Sequence, residues 1–219
     1  METKKEKFMS NADIFQNSVN SDLIDSAKGH FKQFHQRVQF KLDAATYFLD
    51  RLKELEQKAG SLVGPGIKRH DVELNLDAFL YEVVGALDPL LQEINVAFRL
   101  GLKPQEVDMS KIIPKLPEGS QLRKTLGKVD GDTQGWFWRL REYRNHSAHR
   151  RIIGFVINLV VGGGKGDGGV YLHKDPLDTS KGGTDKEVIQ YCHNSIKRME
   201  YLIDEIYGLC ATELSSGKS

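Results

Sequence analysis

Arg-Glu-Tyr-Arg-Asn-His-Ser-Ala-His-Arg, residues 141–150, is the stretch around which this 219-residue chain is organised. It follows the aromatic run Trp136–Trp138 and precedes the strongest β pattern of the sequence, which begins at Ile152. Arginine and histidine in the last turn of a helix also complement the negative end of the helix dipole, which stabilises a helix without any function. The order of the residues is what favours a functional interpretation.

Three residues of this stretch, Arg144, Asn145 and His149, form the pattern Arg-Asn-x-x-x-His. The pattern resembles the signature of the HEPN superfamily of helical RNA-cleaving domains, and the preceding Trp-Phe-Trp-Arg-Leu-Arg-Glu-Tyr segment resembles the amphipathic helix that carries it. In architecture the resemblance spans residues 22 to 213. It implies a homodimer with two-fold symmetry, in which the motifs of both protomers share one pocket.

Apolar residues recur at steps of three and four in four long segments, and each segment is predicted to be a helix. The third helix has Trp136, Leu140 and Tyr143 as its expected inward stripe. Pro89 is expected to kink or split the second helix near Asp88. The four predicted helices cover about residues 22–60, 71–100, 132–150 and 184–214.

Local signals place the ends of these helices and the elements between them. Gly60 and the glycines after it are expected to end the first helix. A capping box from Thr184 to Glu187 is expected to begin the last one. The proline-rich segment 101–133 is predicted to contain short helices at 110–115 and 120–128, because so long a loop is uncommon in a compact domain.

The periodicity changes after residue 151. Ile152–Val161 and Gly169–His173 alternate as strands do, and the glycine-rich loop between them is expected to close a β-hairpin. Gly164, Gly166 and Gly169 match G-x-G-x-x-G, but no helix opens after them, so a phosphate-binding loop is not supported.

The fold prediction is therefore all-α, a four-long-helix bundle with a β-hairpin inserted between helices 3 and 4. The hairpin is expected at about 152–174, within a single domain over residues 21–214. Disordered tails are expected at 1–20 and 215–219.

The composition is that of an ordinary globular protein. Hydrophobic residues make up 39%, charged residues 28%, and the net charge is +1. The basic N-terminus has no apolar run after it and no apolar stretch could span a bilayer, so a cytoplasmic protein without a membrane partner is predicted. Cys192 and Cys210 show no metal or disulfide spacing and are expected in the core.

The expected chemistry is metal-independent RNA cleavage without a cofactor. His149 would act as a general base on a ribose 2′-hydroxyl or as a general acid on the leaving oxygen. Arg144 would neutralise charge on the phosphoryl oxygens, and Asn145 would orient His149 or bind the phosphate. Arg141 and His146 repeat the Arg-to-His spacing and form a reserve pair.

Charge in this region is strongly asymmetric. Five arginines and one acid, Glu142, lie between Arg139 and Arg151. Arg139, Arg150 and Arg151 are expected to bind RNA phosphates. Trp138 or Tyr143, if exposed, would stack a base.

Two other functions are left open by the sequence. Many HEPN members are binding modules for RNA or protein that do not cleave. A metal site from His146, His149 and His173 would instead use the spacing of two histidines on one helix and a third on the hairpin.

One toxin branch of the family, with an antitoxin partner, continues its motif with a tyrosine that the partner modifies. Arg150 and Arg151 follow His149 here, so an antitoxin is a candidate partner but not by that route.

Titratable residues on the first two helices are expected to be structural. His30 and His35 have no partners at ligand spacing and are expected at the surface or its boundary. Asp77, Glu82 and Glu93 could meet the basic cluster but are expected to be solvated.

Overall fold

A computed structural model describes residues 4–20, 25–63, 66–149, 155–158 and 169–216. These residues are mainly helical with one antiparallel pair of strands, which confirms the all-α class. No helix among them combines the length and the apolar character that crossing a bilayer requires. The helices are α1 Lys4–Asn20, α2 Asp25–Ala59, α3 Arg69–Gly85, α4 Leu87–Ala97, α5 Met109–Ile112, α6 Gln121–Gly131, α7 Trp136–His149 and α8 Val188–Ser216, and the strands are β1 Phe155–Asn158 and β2 Gly169–Leu172.

Contacts divide the chain into two compact units. The first unit is Met1–Lys41, Gly85–Thr133 and Arg198–Ser219, and the second unit is Leu42–Val84 and Gln134–Lys197. The motif helix α7, the hairpin and α3 therefore belong to the second unit. The single domain and the four-helix bundle stay predictions.

The predicted long helices are confirmed, with one division. The first corresponds to α2, which ends where Gly60 adopts a left-handed φ of +73°. The second is split at Ala86 into α3 and α4, close to the expected break. Pro89 is the third residue of α4, a position where a helix loses nothing by the missing backbone N–H.

The short helices of the proline-rich segment are also confirmed. Asp108 caps α5, and its carboxylate accepts from the Lys111 amide at 2.9 Å. Ser120 caps α6 in the same way through the Arg123 amide, and Glu213 of α8 accepts from the Ser120 hydroxyl and the Leu122 amide. These bonds satisfy helix N-termini that would otherwise lack acceptors.

The expectation of a disordered tail at residues 1–20 is wrong for residues 4–20, and residues 1–3 lie outside the described residues. Lys4–Asn20 form α1, and Ala12, Phe15 and Val19 of this helix are buried. The Phe15 ring contacts Phe31 and Tyr207 with centroids 5.3 and 5.5 Å apart. A few apolar residues are enough to stabilise a helix in this polar segment, because they pack against aromatic residues elsewhere in the same unit. The predicted tail at 215–219 begins within α8, which extends to Ser216, and residues 217–219 lie outside the described residues.

The capping box predicted for the last helix is also wrong. α8 begins at Val188, after the segment in question. The Thr184 amide donates to the Leu172 carbonyl at 2.8 Å, and its hydroxyl donates to the Lys186 carbonyl. Thr184 therefore pairs with the hairpin, because a backbone bond to a strand competes successfully with a local cap.

A polar cluster lies in the aromatic core of the first unit. Glu93 is fully buried, with Tyr207 donating to its Oε1 at 3.0 Å and His35 Nδ1 lying 3.1 Å from its Oε2. Burial raises the pKa of Glu93, although the bonds to His35 and Tyr207 oppose the change. Burial likewise raises the pKa of the Tyr207 hydroxyl, and Glu93 adds to it. The expectation of a solvated Glu93 is therefore wrong, whereas His35 is half-buried, at the boundary where it was expected.

Candidate functional site

The motif helix α7 is anchored in the second unit by one face. Phe137, Leu140 and Tyr143, at steps of three, are buried. Trp136, which was expected on this inward stripe, is only half-buried and contacts the edge of Phe137. The expected stripe is confirmed at Leu140 and Tyr143, and Phe137 takes the place expected for Trp136. Arg144 and Asn145 lie at the boundary of the core.

The first two motif residues, Arg144 and Asn145, are half-buried on α7. The Arg144 Nε is enclosed and has no hydrogen-bond partner among the described residues. The Asn145 amide nitrogen donates to Glu142 Oε1 at 3.4 Å, a long bond. His149 is the last residue of α7, but its side chain lies outside the described residues, as do Arg150 and Arg151.

The secondary candidates have local contacts of their own. Arg139 donates to the Gln134 carbonyl at 3.1 Å, just ahead of its own helix. The Arg141 guanidinium lies over the Phe137 ring, 5.9 Å from its centroid. His146 is half-buried, and its Nδ1 is enclosed without a partner in the described part of the chain.

An acid from α3 reaches the motif. The Asp77 carboxylate accepts a hydrogen bond from Ser147, which lies between Asn145 and His149. Burial raises the pKa of Asp77, the bond from Ser147 opposes this, and Glu73 adds to the increase. The expectation that Asp77 is solvated is therefore wrong, and α3 is tied to the middle of the motif.

The hairpin is tied to the same helix through a tyrosine. The Tyr143 hydroxyl donates to the His173 carbonyl, and its ring meets Tyr191 edge to face at 5.7 Å. Burial raises the pKa of Tyr143 far above its usual range, with Tyr191 adding to it. A side chain this deeply buried cannot stack a base, so Tyr143 does not meet the exposure that the stacking prediction requires. For the half-buried Trp138, stacking stays a prediction.

Three enclosed nitrogens therefore lack a described partner in this unit: Arg144 Nε, His146 Nδ1 and His173 Nδ1. Buried polar atoms in native proteins are nearly always bonded, and each exception costs about 1–3 kcal/mol. A guanidinium or an imidazole suits a phosphate, since each donates hydrogen bonds when protonated. The sequence pattern predicted Arg144 and His146 as candidate residues for RNA cleavage. It included His173 only as a ligand of the alternative metal site.

That metal alternative is not tested by the described residues. No group of three or more His, Cys, Asp or Glu side chains among them could hold a metal ion, but the proposed set includes His149, whose side chain is not described. Cys192, near Tyr143, is fully buried, and burial raises the pKa of its thiol, so it is a core residue as predicted.

Comparison with known families identifies the motif region. A family model described as Cthe2314-like HEPN matches residues 67–215, which is 149 of the 219 residues and includes the whole of α7. No curated protein and no solved structure matches the chain.

Proposed function

This chain belongs to the Cthe2314-like HEPN family, and we propose that it is a metal-independent endoribonuclease. The observation that carries the proposal is Arg144: its half-buried guanidinium begins the Arg-Asn-x-x-x-His motif and has an enclosed nitrogen without a described partner. An enclosed donor without a bonded acceptor is costly in a folded protein, and a phosphate oxygen would supply that acceptor.

The reaction that such a pocket supports needs no metal. The 2′-oxygen of a ribose forms a bond to the adjacent phosphorus while its proton passes to a base. The bond from phosphorus to the 5′-oxygen breaks, and that oxygen takes up a proton from an acid. The products are a 2′,3′-cyclic phosphate and a 5′-hydroxyl. We assign the base or the acid to His149, because an imidazole titrates near neutral pH and serves in either role.

Arg144 and Asn145 act on the phosphate and on the histidine. The planar fork of Arg144 can bond two phosphoryl oxygens at once and stabilise the charge that gathers on them. Asn145 lies four residues before His149, so the two share a helix face. Since its amide nitrogen is used by Glu142, its carbonyl oxygen is the atom we assign to orienting the imidazole.

We further propose that the pocket lies at a homodimer interface. One motif supplies one histidine, whereas the reaction uses both a base and an acid, and a two-fold axis beside α7 would bring a second His149. Arg150 and Arg151, together with Arg139, are assigned to the phosphates on either side of the cleaved bond. Sedimentation that shows only monomer at micromolar concentration would contradict the dimer.

The test is cleavage of single-stranded RNA in the presence of a metal chelator. Arg144→Ala and His149→Ala are each expected to reduce the rate by ~10²-fold or more, the effect of losing electrostatic or acid–base catalysis. His70→Ala, an exposed histidine on α3, is the matched control and should cleave as the wild type does. A 2′-deoxy substitution at the cleaved position should block the reaction.

The other outcomes identify the alternatives. RNA that binds in a salt-dependent way but stays intact would show a binding module and contradict the enzyme. Activity that appears only with added zinc and falls in His146→Ala would show the metal site instead.

A further inference from the structure

The two outer edges of the hairpin in the second unit differ: the edge of β2 is covered, and the edge of β1 has no described strand beside it. β1 and β2 pair with Phe155 opposite Leu172 and Ile157 opposite Val170. The far side of β2 is covered, because the Thr184 amide bonds the Leu172 carbonyl and His173 forms an antiparallel bridge with Gly183. β1 has no strand on its other side among the described residues.

The register shows which backbone groups face the open edge. In an antiparallel pair, the N–H and C=O of one residue point to the same side. The Leu172 carbonyl points away from β1, toward Thr184, so Phe155 and Leu172 form a non-hydrogen-bonded pair. The N–H and C=O of Phe155 therefore point outward, and by the alternation of the strand those of Ile157 do too.

The side chains of the same two residues line an open cleft of about 340 Å³. Two aliphatic residues of the lining have side chains that are unusually exposed, Val63 at 44% and Ile157 at 46%. A cross-strand neighbour of Phe155 or Ile157 would place its side chain on their face of the sheet, beside this cleft. The apolar lining is Leu62, Val63, Ile67, Val72, Phe155 and Ile157.

The charged residue in the lining is Arg69, at the first turn of α3. Its Nε donates to Glu73, and its side chain is 69% exposed. An arginine fork that uses one nitrogen has others left for a carboxylate. The cleft therefore favours an apolar side chain with an acidic residue close by.

We propose that β1 is the docking edge for an extended peptide segment of a partner protein. The segment adds a strand beside Phe155 and Ile157, inserts an apolar side chain into the cleft and places an acidic side chain beside Arg69. Strand addition of this kind takes its affinity from main-chain bonds and its selectivity from side-chain pockets. A nucleic acid offers no such backbone, and the apolar part of the lining offers the edge of a base no hydrogen-bonding group. The inference is independent of the ribonuclease proposal.

The experiment selects binders to the full-length chain from a library of short random peptides. The affinity of each selected peptide is then measured by fluorescence polarisation. Selected peptides should share apolar residues at alternate positions and an Asp or Glu nearby. N-methylation of single peptide amides should weaken binding by ~10-fold or more at every second position only, because alternate amides face β1. On binding, amide exchange at Phe155 and Ile157 should slow.

Variants of the chain test the two recognition elements. Val63→Glu should weaken binding by ~10-fold or more, and Arg69→Gln should remove the preference for an acidic peptide. Leu74→Glu, at an aliphatic residue of α3 that is 57% exposed, is the matched control and should bind as the wild type does. Circular dichroism of each variant verifies that it is folded.

Several results would overturn the proposal. One is that no peptide binds with a Kd below about 1 mM. Hydrogen bonds to the N–H and C=O groups of Phe155 and Ile157, together with a filled cleft, should give a tighter complex than that. Another is binding without the two-residue alternation, or binding that Val63→Glu leaves intact. Self-association that Val63→Glu abolishes would show that a second copy of the chain occupies the edge.

Discussion

The buried polar groups of the two units differ in how completely they are bonded. In the first unit, both oxygens of Glu93 have a partner, and the Tyr207 hydroxyl also lies 3.3 Å from His35 Nδ1. In the second unit, Arg144 and His146 each keep an enclosed nitrogen without a described partner. The first arrangement is closed, whereas the second is open to a further group.

The difference separates a structural role from a functional one. A buried network in which each member is bonded fixes the packing of the helices that contribute to it. Unbonded donors cost stability, and a folded protein keeps them where a ligand supplies the missing bond. The Glu93 cluster should therefore govern unfolding, and the Arg144 region should govern activity.

The largest effect on stability is expected from Glu93→Ala. The change leaves Tyr207 and His35 without their acceptor in a dry core and opens a cavity. The free energy of unfolding should fall by about 3 kcal/mol. Urea denaturation followed by circular dichroism measures it.

The matched comparison is Arg144→Ala. Its enclosed Nε has no described bond to lose, and removal of this unbonded donor offsets the packing that the side chain loses. The free energy of unfolding should therefore fall by no more than about 0.5 kcal/mol. If Arg144→Ala destabilises the chain as much as Glu93→Ala does, Arg144 is a structural residue and the contrast between the units fails.

Most elements of this fold were predictable because they depend on local pattern. The exception is α1, whose apolar residues pack against partners that are remote in sequence. Helical spacing predicted α2, α3, α4, α7 and α8, and the alternation at Gly169 predicted β2. Residues 152–154 and 159–161 of the other predicted strand lie outside the described residues, and β1 occupies the part between them. The unusual length of the proline-rich segment between the second and third helices predicted α5 and α6.

The Glu93 cluster was not predictable, because its partners are remote in sequence. His35 is 58 positions away and Tyr207 is 114 positions away. A lone acid on a helix is usually solvated, so the sequence favoured the wrong expectation. The prediction that Thr184 caps the last helix was wrong for the same reason. The Thr184 amide bonds the Leu172 carbonyl of β2, which lies outside the local capping pattern.

The sequence proposed residues for the candidate site, which stay a prediction, but it did not show what surrounds them. Arg144 and Asn145 were identified from the order of residues alone. The bond from Ser147 to Asp77 and the anchor from Tyr143 to His173 join α7 to two other elements. Such pairs depend on how segments pack, which a spacing of three or four does not encode.

A smaller effect is expected from pH, again in the first unit. Burial raises the pKa of Glu93 in the folded chain above its unfolded value, so the folded state binds the proton more tightly. The contribution of Glu93 to stability is therefore full below the unfolded pKa and is lost as pH rises through the folded pKa. For a single proton, the loss is at most about 1.4 kcal/mol per pH unit.

Glu93→Gln isolates this contribution, because the amide keeps the shape and does not titrate. The free energy of unfolding of the wild type relative to Glu93→Gln should decline as pH rises from about 4.5, the usual value for a glutamate. A relative stability that instead increases over this range would mean that the carboxylate bonded to His35 and Tyr207 is favoured over the neutral acid.

The smallest effect is expected where the second unit does form a closed bond, between Tyr143 and the His173 carbonyl. Tyr143→Phe keeps the buried ring and its contact with Tyr191 but leaves that carbonyl without its donor. The free energy of unfolding should fall by about 1 kcal/mol, the net value of one hydrogen bond. Amide exchange in β2 should become faster, because the bond ties the end of the hairpin to α7.

Tyr47→Phe is the control for that change, since Tyr47 is 59% exposed and stacks edge-on against Phe48. It should alter stability by no more than about 0.5 kcal/mol. If Tyr143→Phe matches this control in both stability and β2 exchange, the hairpin is held to α7 by apolar packing alone. If it instead approaches the loss in Glu93→Ala, the second unit depends on a polar network as the first does, and its unbonded nitrogens are then defects of that network rather than marks of a site.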